Sequence, residues 1–245
     1  MLRVCLLRNI LTIILLLQLP QALAKQVKIA LTHIPKVMEY DTPDAPYTKL
    51  INVLRSEFGL EFEPIFLPSA RANKLLNDKK IDCIFPIIPT SSRFVDTLFS
   101  SPVNGIRAHF FSKDGKQYKS IEELAGKTVV YLRGYLFADL IANNRQVSFL
   151  PVNSQQAAFM ILAKQRADVY LEYIPDIRYT LSSEQMATLS YSKKHPIIKN
   201  NDRLECLTSE RGKAFLKDFN DKIQILRASG ELRKILGDYF VDINN

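Results

Sequence analysis

Strand-like and helix-like segments alternate from Val27 almost to the C-terminus, and this rhythm restricts the fold more than any other feature of the chain. Val27 to Leu31 is an apolar run of strand length. Pro46 to Phe58 is helical, with Leu50, Val53, Leu54 and Phe58 on one face. Glu61 to Leu67 returns to strand, and Pro64 points to an edge position because proline cannot donate to a ladder. Ser69 to Asn77 reads as a short helix, and Ile81 to Ile87 and Gly105 to Phe111 read as strands. Farther on, Ser120-Ile121-Glu122-Glu123 has the form of a capping box that opens a one-turn helix closed by Gly126. Lys127 to Leu132, Val147 to Val152 and Ala167 to Leu171 are strands. Between them lie a turn at Gly134, a helix at Leu136 to Asn143 and a second helix capped by Ser154. A strand at Glu205 to Thr208, a long helix from Arg211 and, past Gly230, a final amphipathic helix close the chain. Such alternation predicts an α/β fold with a largely parallel sheet.

The first residues follow a different pattern. Arg3 and Arg8 precede an apolar run from Ile10 to Leu17, Pro20 breaks it, and Ala22-Leu23-Ala24 supplies a small-x-small cleavage site. These are the regions of a secretory signal peptide, assigned to residues 1–24. An uncleaved anchor is the alternative, but a span needs roughly 20 apolar residues and this run is shorter. Cys5 lies ahead of the apolar run, where a lipoprotein cysteine does not sit. Removing 24 of 245 residues leaves 221, enough for one large domain or two lobes, in a mature chain expected to be soluble and periplasmic.

The formal charge of +8 falls to +6 without Arg3 and Arg8. The basic residues are dispersed, and Lys79-Lys80 and Lys193-Lys194 carry no interleaved aromatics that would stack bases, so no nucleic-acid partner is expected. A solvated basic surface that steers anionic ligands is the simpler account. Cys83 and Cys206 occupy no metal spacing. Cys83, in an apolar strand, reads as a buried free thiol by default, although an oxidising compartment permits a Cys83–Cys206 bridge. His33, His109 and His195 are far apart, so neither a metal site nor a cofactor is legible.

Several stretches resemble the family 3 extracellular solute-binding proteins, the amino-acid-binding components of ABC importers. They are Lys80-Ile81-Asp82-Cys83, Thr90-Ser91-Ser92-Arg93 followed by Phe99-Ser100-Ser101-Pro102, and Ser120 to Val129. Arg166-Ala167-Asp168-Val169 and Ser229-Gly230-Glu231-Leu232, with Asp238-Tyr239-Phe240, complete the set. The likeness covers nearly all of the mature chain. It implies the periplasmic-binding-protein type II fold: two α/β lobes joined by two hinge crossings, with ligand held between them. Lobe one would comprise 25–111 and the returning 195–245, and lobe two 112–194.

The resemblance also implies site residues. Arg93 would grip a ligand carboxylate through its planar fork of donors, or else serve as a surface or packing arginine. Glu172, taken to follow the strand Ala167 to Leu171, would hold an amino group beyond the strand's carboxyl end, or be an ordinary loop glutamate. Gly134 and Tyr135 form a strand-to-helix turn whose amides can cradle an anion. Thr90 belongs to the arginine motif. Arg71 faces either the cleft or solvent, and Tyr40 and Tyr173 are either stacking platforms or rim and core residues. His33, after the first strand, is a weaker candidate. Pro86, Ile88 and Tyr135 stand where the family carries small hydroxyl residues, and Ala45-Pro46-Tyr47-Thr48-Lys49 replaces its Gly-Phe-x-x-Asp run. The expected ligand is therefore a small polar, carboxylate-bearing solute that need not be a standard α-amino acid. The expected protein is a non-catalytic monomer serving an ABC permease or, as a sensor, a membrane receptor. A third reading, a cyclic-acid dehydratase using Glu172 as acid/base, rests on fold analogy.

Overall fold

The computed structural model describes residues 26–89, 95–133, 135 and 137–244. The leader, Thr90, Arg93, Gly134 and the start of the helix expected at Leu136 lie outside the described residues.

The first lobe contains β1 (Lys28–Thr32), α1 (Pro46–Ser56), β2 (Glu63–Leu67), α2 (Ser69–Asn77), β3 (Cys83–Ile87) and β4 (Thr97–Phe99). The crossing strand β5 (Asn104–Phe111) leads to β6 (Thr128–Leu132), α3 (Ala138–Ala142), β7 (Ser148–Val152) and α4 (Gln155–Ala163) of the second lobe. That lobe ends with β8 (Val169–Tyr173), α5 (Ile174–Thr180) and α6 (Ser183–Ala187). The strand β9 (Ile198–Leu207) returns to the first lobe, closed by α7 (Glu210–Ala228), α8 (Glu231–Leu236) and a 3-10 turn at Gly237–Tyr239. No helix among the described residues is long and apolar enough to cross a membrane.

The sheet order is β2-β1-β3-β9-β5-β8-β6-β7, with β4 attached to β9. It is mixed rather than largely parallel. The pairs β1/β2, β1/β3, β6/β7 and β6/β8 are parallel, but every pair involving β5 or β9 is antiparallel. The parallel rhythm belongs to each lobe, and the two strands that travel between lobes run against it. As Pro64 foretold, β2 lies at the edge.

The cores follow from strand alternation. Ile29 and Leu31 face Tyr47, Leu50 and Leu54 of α1 and Phe215 and Phe219 of α7, while Ala30 between them faces Ala72 and Leu76 of α2. In the second lobe Val169, Leu171 and Tyr173 join Phe110, Val129 and Phe137, and Tyr170 on the opposite face joins Phe159 and Leu162 of α4. Two devices tie the return strand down. Gly212 starts α7 so close to β9 that an added Cβ would lie 2.3 Å from the Leu207 carbonyl oxygen. Gly105 lets the tail cross β5, its amide donating to the Val241 carbonyl at 2.9 Å.

Several expectations are corrected. The capping box at Ser120 is absent; a 3-10 turn at Glu122–Leu124 forms without a side-chain cap, and a capping box instead joins Ser182 and Gln185. The last strand, expected at Glu205 to Thr208, begins at Ile198, because ladder pairing with β5 holds its polar half. The strand expected at Ala167 to Leu171 ends at Tyr173, so Glu172 is a strand residue and not a loop residue. Cys83 is not a free thiol. It is the register partner of Cys206 across β3 and β9, and the two form a disulfide, both side chains fully buried.

The bridge closes a chain separation of 123 residues, a loop long enough for its removal to cost about 2–5 kcal/mol. The double variant Cys83→Ala/Cys206→Ala should therefore unfold at markedly lower guanidinium concentration than the oxidised protein. Coincident melts would show that the ladder alone holds β9.

Candidate functional site

Ligands of open α/β sheets lie beyond the carboxyl ends of the parallel strands. Here those ends are Thr32, Leu67 and Ile87 in one lobe and Leu132, Val152 and Tyr173 in the other. Among the described residues singled out from sequence, Tyr173 is itself such an end, Glu172 precedes it, and His33, Tyr40, Arg71 and Tyr135 lie in the segments that follow β1, β2 and β6. Tyr40, after β1, is 76% exposed and packs edge-on against Phe66, with ring centroids 5.5 Å apart. Arg71, on the first turn of α2, is exposed. His33 lies 3.6 Å from the Glu39 carboxylate. Across the sheet, Tyr135, Glu172 and Tyr173 are gathered together, with the rings of Tyr135 and Tyr173 5.2 Å apart.

Glu172 and Tyr173 are neighbours in a strand and so face opposite ways. Glu172 is fully buried on the face it shares with Tyr170, whose hydroxyl donates to it at 2.6 Å; the Tyr173 amide donates to its other oxygen at 2.8 Å. Burial first, and then the nearby Asp176, push its pKa well above the usual carboxyl range. Tyr173 faces Tyr135 and Phe137. Its hydroxyl is buried without a hydrogen-bond partner among the described residues. Thr32, the last residue of β1 and 7% exposed, has a hydroxyl in the same condition. An unsatisfied buried hydroxyl costs roughly 1–3 kcal/mol, and two of them stand at the carboxyl ends of β1 and β8, one in each lobe.

Behind Tyr173 runs a network that sequence reasoning did not find. Tyr135 donates to Asp176 at 2.6 Å and accepts from the Gln155 amide at 3.1 Å; Thr180 donates to Gln155 at 2.8 Å. Tyr239, from the opposite lobe, donates to the second oxygen of Asp176 at 3.1 Å. Tyr47 donates to Asp202 of β9 at 2.5 Å. No ion pair reaches Glu172, Asp176 or Asp202 from a described residue. Burial raises the pKa of Asp176, against the two tyrosine hydrogen bonds. It pushes Asp202 up to about 7, with Asp176 adding to the effect and Tyr47 opposing it. The signal that could have exposed part of this site was Thr32, a hydroxyl closing an apolar strand. Asp176 was hidden because α5 was not expected.

Among the described residues no group of three or more metal-type ligands is gathered. Two surface hollows, at Asn52, Arg55 and Phe62 and at Arg227, Arg233 and Phe240, include none of the unpartnered buried groups.

The sequence profile of the bacterial extracellular solute-binding proteins, family 3, matches residues 43–242. No curated protein matches the sequence. Among solved structures, the GluR0 ligand-binding core from Nostoc punctiforme in complex with (L)-glutamate superposes with a TM-score of 0.69 at 18% identity, covering 87% of this chain and 99% of that one. A mutant of ArgBP from T. maritima gives 0.65 at 16% identity, covering 87% and 94%. A histidine kinase sensor domain with similarity to periplasmic binding proteins gives 0.65 at 15%, covering 88% and 96%. At such identities the likeness shows the two-lobed fold.

Asp202 makes stability pH-dependent. Its folded pKa of about 7 lies above the unfolded value near 3.9, so its contribution is full below about pH 4 and is lost as pH rises through 7. Asp202→Asn should flatten the loss of stability between pH 5 and 8, measured as denaturation midpoints. A decline as steep as the parent's would place the pH dependence elsewhere.

Proposed function

Because the chain belongs to the bacterial extracellular solute-binding proteins, family 3, we propose that it captures a small polar solute between its lobes and delivers it to the permease of an ABC importer. The observation that carries this reading is the pair of unpartnered buried hydroxyls, Thr32 at the end of β1 and Tyr173 at the end of β8. Each lobe thus contributes a polar group whose missing partner a solute would supply. Tyr135 and Tyr173 form an aromatic wall, and exposed Tyr40 stands beside Phe66 at the first-lobe rim. Arg93 is assigned the anionic end of the solute, and Thr90, Gly134 and Arg71 are assigned further polar contacts to it. Both oxygens of Glu172 are engaged by Tyr170 and the Tyr173 amide, so Glu172 is assigned the support of Tyr173. Residues 1–24 are assigned to a leader that exports the chain.

A thermal-shift screen against amino acids, polyamines, small organic acids and cyclic acids tests this. A solute at 100 times its Kd should stabilise the protein by about 2.7 kcal/mol. With the solute known, Arg93→Ala should weaken binding at least tenfold, about 1.4 kcal/mol. Tyr173→Phe and Thr32→Val should each weaken it several-fold, as loss of one hydrogen bond of about 0.5–1.5 kcal/mol implies. Unchanged affinity in folded Tyr173→Phe and Thr32→Val variants would remove the two hydroxyls from the site.

A further inference from the structure

The helix α5 belongs to the second lobe by connectivity, directly following β8, yet its side chains meet the first lobe. Tyr179 packs against the first-lobe core, and its ring lies 5.7 Å from that of Tyr239. The Lys36 ammonium, in the loop after β1, donates to the Tyr179 carbonyl at 3.4 Å. Asp176 is held on one oxygen by Tyr135 of its own lobe and on the other by Tyr239. The Tyr239 ring in turn lies 5.2 Å from Tyr47, which holds Asp202 on the crossing strand. Among the described residues, a line of hydrogen bonds and ring contacts therefore runs from Asp202 of the hinge strand through Tyr47 of α1 and Tyr239 of the C-terminal turn to Asp176 of α5.

We propose that α5 is a clasp between the lobes, in which Asp176, held between Tyr135 and Tyr239, sets how readily the cleft opens and does so in step with its own proton occupancy. Separating the lobes breaks the Tyr239 hydrogen bond and exposes half-buried Asp176 further to water. The clasped state keeps that carboxyl among partners that do not neutralise a negative charge. From β8 these are Glu172, Tyr170 and Tyr173, and from β9 Asp202. The 3-10 turn adds Tyr239 and, acting on Tyr179, Asp238; the turn before α3 adds Tyr135, α1 adds Tyr47, and α4 only the neutral Gln155. Of the cations nearby, Lys36 donates to the Tyr179 carbonyl, Arg107 donates to the carbonyls of Ile106, Asn200, Asp242 and Ile243, and Arg178, on α5 itself, acts on His109. Burial raises the Asp176 pKa in the clasped state, so the proton stabilises closure at low pH and its loss favours opening as pH rises.

The proposal is tested without any solute by spin labels on exposed positions of the two lobes, introduced as Lys74→Cys and Arg145→Cys in the full exported chain. Interlabel distances are measured by pulsed electron resonance from pH 5 to pH 8.5. The parent should shift from a short to a longer separation as pH rises. Tyr239→Phe, which keeps the ring and removes only the donor, should lengthen the separation at every pH. Asp176→Asn should abolish the pH shift. A purely structural role would lower the melting temperature of Tyr239→Phe without changing the distance. That result, or a pH-independent distance in the parent, overturns the proposal, and neither depends on which solute the cleft takes.

Discussion

A chain that builds two parallel half-sheets and passes twice between them must pair the backbone of its crossing strands on both sides, because buried peptide groups without partners are costly. The strand β9 meets this demand by changing partners along its length. Its first half, Ile198 to Asp202, pairs with β5, and its second half, Arg203 to Leu207, pairs with β3 and β4. The strand β5 does the same between β9 and β8. Each lobe's position relative to the other is set where these ladders change hands, and the elements that border the cleft hang from them. The disulfide between Cys83 and Cys206 anchors the first-lobe half of β9, and the ladder to β5 holds the other half.

The second organising feature is a set of acids, Glu172 and Asp202 buried and Asp176 half-buried, that rely on tyrosine hydroxyls rather than on cations. Glu172 takes Tyr170, Asp176 takes Tyr135 and Tyr239, and Asp202 takes Tyr47. A phenol hydroxyl satisfies one lone pair without bringing a charge, so the acids keep elevated proton affinity in a region of low dielectric. The hydrogen bonds of Asp176 and Asp202 cross between elements distant in sequence, which makes the seam between the lobes polar and directional instead of merely greasy. An apolar seam would favour collapse. A seam of specific hydrogen bonds permits separation along a defined line.

Much of the fold was legible locally. The helix at Ser69–Asn77, the Ser154 cap, the edge strand carrying Pro64 and the break at Gly230 all depend on side chains within a few residues of one another. The candidate site was legible only in outline. Thr90, Arg93 and Gly134 lie outside the described residues, and the local strand pattern stopped β8 two residues short. In a strand such an error reverses nothing for the residues themselves, yet it moves Glu172 from an open loop to a fully buried position and leaves Tyr173 as the residue at the edge of the cleft.

The amino-acid sequence by itself determined the α/β class, the strand and helix periodicities, and the apolar faces that make each lobe, since these arise from neighbours along the chain. Only the tertiary structure decided the antiparallel sense of the crossings, the strand character of Lys199-Asn200-Asn201-Asp202-Arg203, the pairing of the two cysteines, and the meeting of Asp176 with Tyr239. The physical reason is the same for all four. A polar strand is held by ladder partners, a disulfide by register, and a half-buried acid by a hydroxyl 63 residues away, and none of these partners leaves a mark on local hydrophobic pattern.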